Sequence, residues 1–178
     1  MDQTLVSVIV ATYHRDSALH RALKSLTLQT YKCIEVIVID DNADSKWNVI
    51  VQDIIKEFIN QINIKHIINE SNLGSAKSRN KGINIAKGKY ITFLDDDDIF
   101  LPPKIEAQLQ DMIQSQAEYG ITDLALYSMN DKFIEQRIYK VKDKQGKIST
   151  WIYGIHEDSV SEGNNLVIVD PPGLQDLI

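Results

Sequence analysis

Four strand-length segments rich in apolar residues, at residues 6–11, 34–39, 64–68 and 90–94, alternate with longer stretches in which apolar residues recur at steps of three and four. That alternation is the mark of repeated βα units, and such units build an α/β fold around a mostly parallel sheet. The first run is apolar apart from Ser7, as expected of a central strand covered on both faces by helices. The β-branched second run ends abruptly in Asp40-Asp41-Asn42-Ala43-Asp44, a stretch too polar for a core.

The intervening stretches read as helices. Asp16 or Ser17 can cap the first, whose stripe is Leu19, Ala22, Leu23 and Leu26. The second is expected over 47–59 with Ile50, Ile54, Ile55 and Phe58 inward. The third, over 75–87, has Ala76, Ile83 and Ala86 as its apolar spacing and is weakened by Gly82; Lys77 and Arg79 in its first turn could face a phosphate. Pro102 and Pro103 favour the start of a fourth, with Ile105, Leu109, Met112 and Ile113 as its stripe. A strand is expected at 123–128. Residues 131–147 fit either a strand pair at the sheet edge or a flap. The tail holds one apolar run, at 166–169, before the turn Asp170-Pro171-Pro172-Gly173.

At 178 residues and 43% apolar content, one domain with a closed core is expected. A net charge of -6 argues against a general nucleic-acid binder and suits a protein that recruits cations. The single Cys33 excludes an internal disulfide framework and a thiolate zinc site. Neither a run of 18 apolar residues nor a signal-peptide pattern is present, so a cytoplasmic location is expected, with peripheral membrane association compatible. Asn69-Glu70-Ser71 fits a glycosylation sequon, a triplet common by chance.

The most informative segment is Asp95-Asp96-Asp97-Asp98, directly after the fourth apolar run. Each like-charge contact at ~4 Å costs roughly 4 kcal/mol at an effective dielectric of about 20, so a divalent cation is a natural compensation, and oxygen donors suit Mg²⁺ or Mn²⁺. A solvated acidic turn is the plainer alternative. Position favours the cation, because open parallel sheets bind ligands beyond the carboxyl ends of their strands, and both acidic clusters stand there. A metal at the second cluster could grip a diphosphate and neutralise a leaving group.

The residues from Val6 to about Ser128 resemble the family 2 inverting glycosyltransferases, which have the GT-A (Rossmann-like) three-layer fold. Val6-Ser7-Val8-Ile9-Val10-Ala11-Thr12-Tyr13 is similar to that family's first strand, with Ala11 and His14 where Pro and Asn are usual. Gln29-Thr30, Glu35-Val36-Ile37-Val38-Ile39-Asp40-Asp41-Asn42 and Asn72-Leu73-Gly74-Ser75-Ala76-Lys77-Ser78-Arg79-Asn80-Lys81-Gly82-Ile83 continue the match in order. Ala86-Lys87-Gly88-Lys89-Tyr90-Ile91-Thr92-Phe93-Leu94 then leads into the aspartates, which resemble the family's Asp-x-Asp metal motif.

The resemblance implies a nucleotide-diphospho-sugar donor, a UDP-sugar by the look of the base pocket, and a carbohydrate or lipid-linked acceptor. Ala11 and Tyr13 would contact the base and Asp41 the uracil edge. Asp95 and Asp97 would form the Asp-x-Asp pair, with Asp97 the direct ligand of Mn²⁺ or Mg²⁺. Asp96 would lie near the ribose or sugar, and Lys77 or Arg79 would orient the donor. Inversion needs a carboxylate base, which the family places in its later half; Glu157 and Asp158 are weak candidates, with Glu162 and Asp170 in the same motif-free region. Residues 1–130 are expected to be the donor core and 131–178 the start of an acceptor-side region. Family members run longer, so the chain is expected to lack part of the acceptor site.

Three other readings compete. A haloacid-dehalogenase-like phosphatase also places Asp-x-Asp after an apolar strand, but Ile99 stands where its motif wants Thr or Val. A nucleotide-sugar binder without turnover fits a missing acceptor half. The kinase-like triplet His14-Arg15-Asp16 stands alone, without a glycine loop.

Overall fold

The computed structural model describes residues 4–117 and 120, together with the backbone of five strands beyond them. The chain divides into two compact units, the first ending at Pro102 and the second beginning at Pro103.

The first unit runs β1 (Val6–Thr12), α1 (Ser17–Thr27), β2 (Ile34–Asp40), α2 (Ser45–Phe58), β3 (Asn63–Ile68), α3 (Ser75–Ile85), β4 (Tyr90–Phe93). Its four strands form one wholly parallel sheet in the order β3-β2-β1-β4. Every residue of β2 is buried, and β1 is buried at all but Ala11. Ile9, Ile37 and Ile39 pack against Ile85 and Ala86 at the end of α3, while Val8, Val10, Val36 and Val38, pointing to the other face by alternation, are fully buried too. The unit is therefore a three-layer α/β domain with its centre at β1 and β2.

Two helices begin as their sequences dictate. The Asp16 carboxylate accepts the Ser17 amide at 2.6 Å, and Leu19, Ala22, Leu23 and Leu26 of α1 are buried. Asp44 accepts the Lys46 and Trp47 amides, each at 3.0 Å, and so caps α2. Elsewhere the structure corrects the expected faces. In α2 the fourth inward residue is Val51, with Ile50 only partly covered, because Val51 stands three, four and seven residues before Ile54, Ile55 and Phe58 and so completes their stripe, whereas Ile50 falls at its margin. In α3 the buried residues are Ser78 and Gly82, while Ala76 and Ile83 are exposed. Gly82, read from sequence as a weakness, is a packing device: a Cβ there would lie 2.6 Å from Ile9 Cγ2. This contact lets α3 approach the sheet more closely than any side chain would permit.

A buried polar link fixes the strand that leads to the aspartates. Ser7 donates to Glu35 at 2.6 Å, the Lys87 amide donates to the same carboxylate at 2.6 Å, and the Gly88 amide donates to Ser7 Oγ at 2.9 Å. Burial pushes the Glu35 carboxyl up, but these bonds outweigh it and hold the group below the ordinary glutamate range.

In the second unit, α4 (Lys104–Ser115) buries Ile105 and Leu109 but leaves Ile113, expected inward, 52% exposed. Strand β5 (Leu124–Tyr127) pairs antiparallel with β6 (Phe133–Arg137), and β7 (Tyr139–Lys142) with β8 (Ile148–Ile152), which pairs with β9 (Ile155–Glu157). The region left open between strands and a flap thus contains strands, in sheets of their own. The apolar run at 166–169 lies outside the described residues.

Gly82→Ala should lower the unfolding free energy by about 1–3 kcal/mol through overpacking, although alanine is the better helix former by about 1 kcal/mol. Urea titration reads it as a lower midpoint at unchanged slope; a stabilised variant would mean that Ile9 yields freely.

Candidate functional site

The sheet brings the last residues of its strands, Thr12, Asp40, Ile68 and Phe93, to one edge. Loops leaving it enclose a cavity of about 270 Å³ lined by Ala11, Thr12, Tyr13, Arg15, Asp41, Ser75, Arg79, Asp95, Asp96 and Asp97. Seven residues singled out from sequence, Ala11, Tyr13, Asp41, Arg79, Asp95, Asp96 and Asp97, thus meet in one place. Lys77 is exposed and is not among them. The side chain of Glu157, and Asp158, Glu162 and Asp170 entirely, lie outside the described residues. A second cavity, of about 380 Å³, is lined by Arg79, Phe93, Leu94, Asp95, Asp98 and Phe100, so Arg79 and Asp95 border both.

Asp41 is the best-connected carboxylate of the site. Its Oδ1 accepts the Leu73 amide and Asn69 Nδ2, each at 2.8 Å, and its Oδ2 accepts the Gly74 amide at 2.8 Å. Gly74 sits at φ +79°, a left-handed conformation that favours glycine, and opens α3 without a side-chain cap of its own. The aspartate on the neighbouring strand end therefore holds the start of α3. Burial pushes the Asp41 carboxyl up, but the Leu73 and Gly74 amides and the Asn69 and Ser78 side chains more than offset it, leaving the group below the ordinary range. A contact from Asp41 to a nucleobase would have to use the lone pairs these bonds leave over.

Asn69 is 1% exposed. Besides Asp41 it donates to Ser78 Oγ at 3.0 Å and accepts Lys81 Nζ at 2.7 Å, so the sequon's asparagine is engaged inside the fold.

The four aspartates form a tight turn, closed by the Asp98 amide on the Asp95 carbonyl at 3.0 Å. Two guanidinium groups from different elements neutralise it. Arg79 of α3 bonds Asp95, and Arg15, in the loop after β1, lies 2.8 Å from Asp97 and 3.7 Å from Asp96. The Tyr13 amide also donates to Asp96 at 3.3 Å. Burial holds the Asp96 carboxyl above the ordinary range despite these bonds. Asp98 is raised too, by burial first and then by Asp97, Asp95 and Asp96.

Among the described residues, no three His, Cys, Asp or Glu side chains converge as a complete cation cage. The site instead has the chemistry of a shared one. Asp95 and Asp97 keep side chains 52% and 46% exposed on the cavity wall, and Mg²⁺-type ions take one or two carboxylates and complete their shell with phosphate oxygens and water. The donors fit such an ion.

Two features escaped the sequence reading. Arg15 stood in an apparently isolated triplet, yet it supplies half of the turn's counter-charge. Tyr13, His14 and Trp47 form a continuous stack, with ring centroids 4.0 Å and 4.8 Å apart at interplanar angles of 16° and 23°. His14 reaches it through a left-handed backbone at φ +51°, with its amide donating to Asn42 Oδ1 at 2.7 Å. Spacing along the chain carries no signal for either arrangement, since Arg15 and its aspartates, and the Tyr13–His14 pair and Trp47 in the first turn of α2, come from segments distant in sequence.

Comparison with known proteins agrees with this architecture. The family model of glycosyl transferase family 2 matches residues 7–161, and the chain belongs to that family. An uncharacterized glycosyltransferase of Methanocaldococcus jannaschii is 45% identical over 116 residues, 63% of this chain and 38% of the relative. The UDP-Glc:alpha-D-GlcNAc-diphosphoundecaprenol beta-1,3-glucosyltransferase WfaP of Escherichia coli is 35% identical over 136 residues, 74% of this chain and 47% of its own length. The crystal structure of S. aureus TarS superposes with a TM-score of 0.55 at 26% identity, covering 68% of this chain and 21% of that one. The fold is that of the GT-A glycosyltransferases, and the chain spans less than half of each of these relatives.

Because Asp41 titrates below its unfolded value of about 3.9, its bonds stabilise the fold above that pH and lose their effect as pH falls through the folded value. Asp41→Asn, which sets an amide NH₂ or a weaker acceptor against the Leu73 and Gly74 amides, should cost about 1–3 kcal/mol at pH 7. In paired urea titrations the gap from the parent should narrow below about pH 4; a gap constant with pH would deny Asp41 this role.

Proposed function

We propose that this chain carries the donor site of an inverting glycosyltransferase that takes a UDP-sugar with Mn²⁺ or Mg²⁺ and delivers the sugar to a carbohydrate or lipid-linked acceptor hydroxyl. The observation that carries the reading is the meeting of Tyr13, Asp41, Arg79 and three of the four aspartates in one cavity at the carboxyl edge of a parallel sheet. The donor and acceptor named for the E. coli relative support a UDP-sugar and a lipid-linked acceptor. Residues 1–130 are read as the donor core and 131–178 as the beginning of the acceptor side.

In this reading Tyr13, 48% exposed, offers a ring face to the base. Asp41 orients the base edge with its remaining lone pairs and holds the α3 start that carries Arg79 toward the diphosphate. Asp95 and Asp97 would hold the cation, which would supply charge neutralisation at the diphosphate. Asp96, held by the Tyr13 amide, faces the ribose. Lys77, exposed, serves only as a distant positive charge. The base that deprotonates the acceptor is assigned to no described residue; Glu157 and Asp158 remain its candidates. No described helix is long and apolar enough to cross a membrane.

Calorimetric titration of UDP into the chain with Mn²⁺ should show binding that EDTA abolishes and ADP does not reproduce. Asp97→Ala should lose the metal-dependent binding at an unchanged melting temperature, because it removes a half-exposed carboxylate and no core packing. Absence of binding by either nucleotide would overturn the donor-site reading, and unchanged binding in the variant would remove Asp97 from the cation.

A further inference from the structure

We infer that Arg15 is a built-in counter-ion that competes with the divalent cation for Asp97 and transfers to the donor's diphosphate when cation and donor arrive together. The inference rests on the donor-site reading above and goes beyond it, since that reading gives Arg15 no part. Without a cation the turn would hold repelling carboxylates. The guanidinium of Arg15 meets that repulsion from one side, 2.8 Å from Asp97 and 3.7 Å from Asp96, and Arg79 meets it from the other at Asp95. The carboxylates suited to a metal are thus already engaged by arginines.

The contrast with Arg79 in exposure and in backbone setting makes Arg15 the one that moves, and two features that both arginines share make the move possible. Its side chain is 48% exposed and stands in a loop, against 33% for Arg79, which is fixed to helix α3. It lines the cavity, so a short swing keeps it beside the site. Its Asp97 partner is 46% exposed, open to a cation from solvent. A divalent ion on Asp97 places two positive charges beside a third, and the repulsion drives the guanidinium off. The diphosphate gripped by that ion would be a newly arrived anion beside Arg15, and its oxygens match the planar fork of arginine. Cation and nucleotide then bind cooperatively, each weakening the internal pair that opposes the other.

The test separates the two halves of the exchange. Mn²⁺ alone is titrated into the full chain, with free Mn²⁺ followed by electron paramagnetic resonance, and UDP is titrated at saturating Mn²⁺ by calorimetry. Arg15→Gln should bind Mn²⁺ alone about two- to fivefold more tightly, as expected for loss of one exposed ion pair. The same variant should bind UDP with Mn²⁺ about tenfold more weakly, having lost a charged hydrogen bond to phosphate. Arg15→Lys should restore part of both, whereas a merely structural role for Arg15 would weaken both equilibria together. Mn²⁺ affinity unchanged or lowered in Arg15→Gln, with UDP still bound by the parent, overturns this inference alone; a parent that binds no UDP with Mn²⁺ overturns the donor-site reading and the inference with it.

Discussion

The carboxylate of Asp41 ties the end of β2 to the segment that launches α3, and the geometry of the acidic edge follows from that tie. Three donors at 2.8 Å, two of them backbone amides, fix residues 69–74 against the sheet. Gly74 can then turn through its left-handed conformation, and α3 leaves at the angle that seats Gly82 on Ile9 and brings Arg79 to Asp95. One buried charge thus organises a helix whose own sequence is a poor helix signal. The amides that satisfy Asp41 also explain why it stays ionised at 3% exposure.

The two acidic clusters of the edge divide the work of structure and ligand chemistry. Asp40 is fully buried and bonds His66 at 3.2 Å and Asn42 within the fold; with Asp41 it makes the end of β2 rigid. Asp95 and Asp97 are half exposed and are held by arginine side chains rather than by backbone amides. Charges satisfied by backbone amides cannot be exchanged without unfolding the loop. Charges satisfied by solvent-facing guanidinium groups can be, which is what the proposed capture and release of a charged nucleotide would require.

Much of the fold was legible because burial on both faces leaves a simple mark. The apolar runs of β1 and β2, the stripe of α1 with its Asp16 cap, and the acidic strand ends could be read directly. The face of α3 could not, because its contact with the sheet is made by the absence of a side chain at Gly82 and by the small polar Ser78, neither of which adds to an apolar period. Val51 replaced Ile50 in α2 because the spacing of three, four and seven to Ile54, Ile55 and Phe58 belongs to Val51, a β-branched residue next to an equally apolar one that the reading preferred. At the candidate site, the family-like motifs in order along the chain named seven of the ten residues that line the cavity, whereas Arg15 and the Tyr13–His14–Trp47 stack depend on segments distant in sequence meeting in space. Asp41 was legible as a site residue, but its engagement by Leu73 and Gly74 was not, because amide donors leave no trace in side-chain identity.

The central claim, that a divalent cation and a uridine diphosphate meet at the aspartate turn, is tested most directly by paramagnetic relaxation in a ¹⁵N-labelled chain. With substoichiometric Mn²⁺ and saturating UDP, the account predicts loss of the amide signals of Tyr13, Arg15, Arg79 and Asp95 to Asp98, while those of Ser7, Lys87 and Gly88 at the opposite end of the strands persist. Broadening centred anywhere other than the carboxyl edge of the sheet, or spread evenly over the acidic surface, would contradict it.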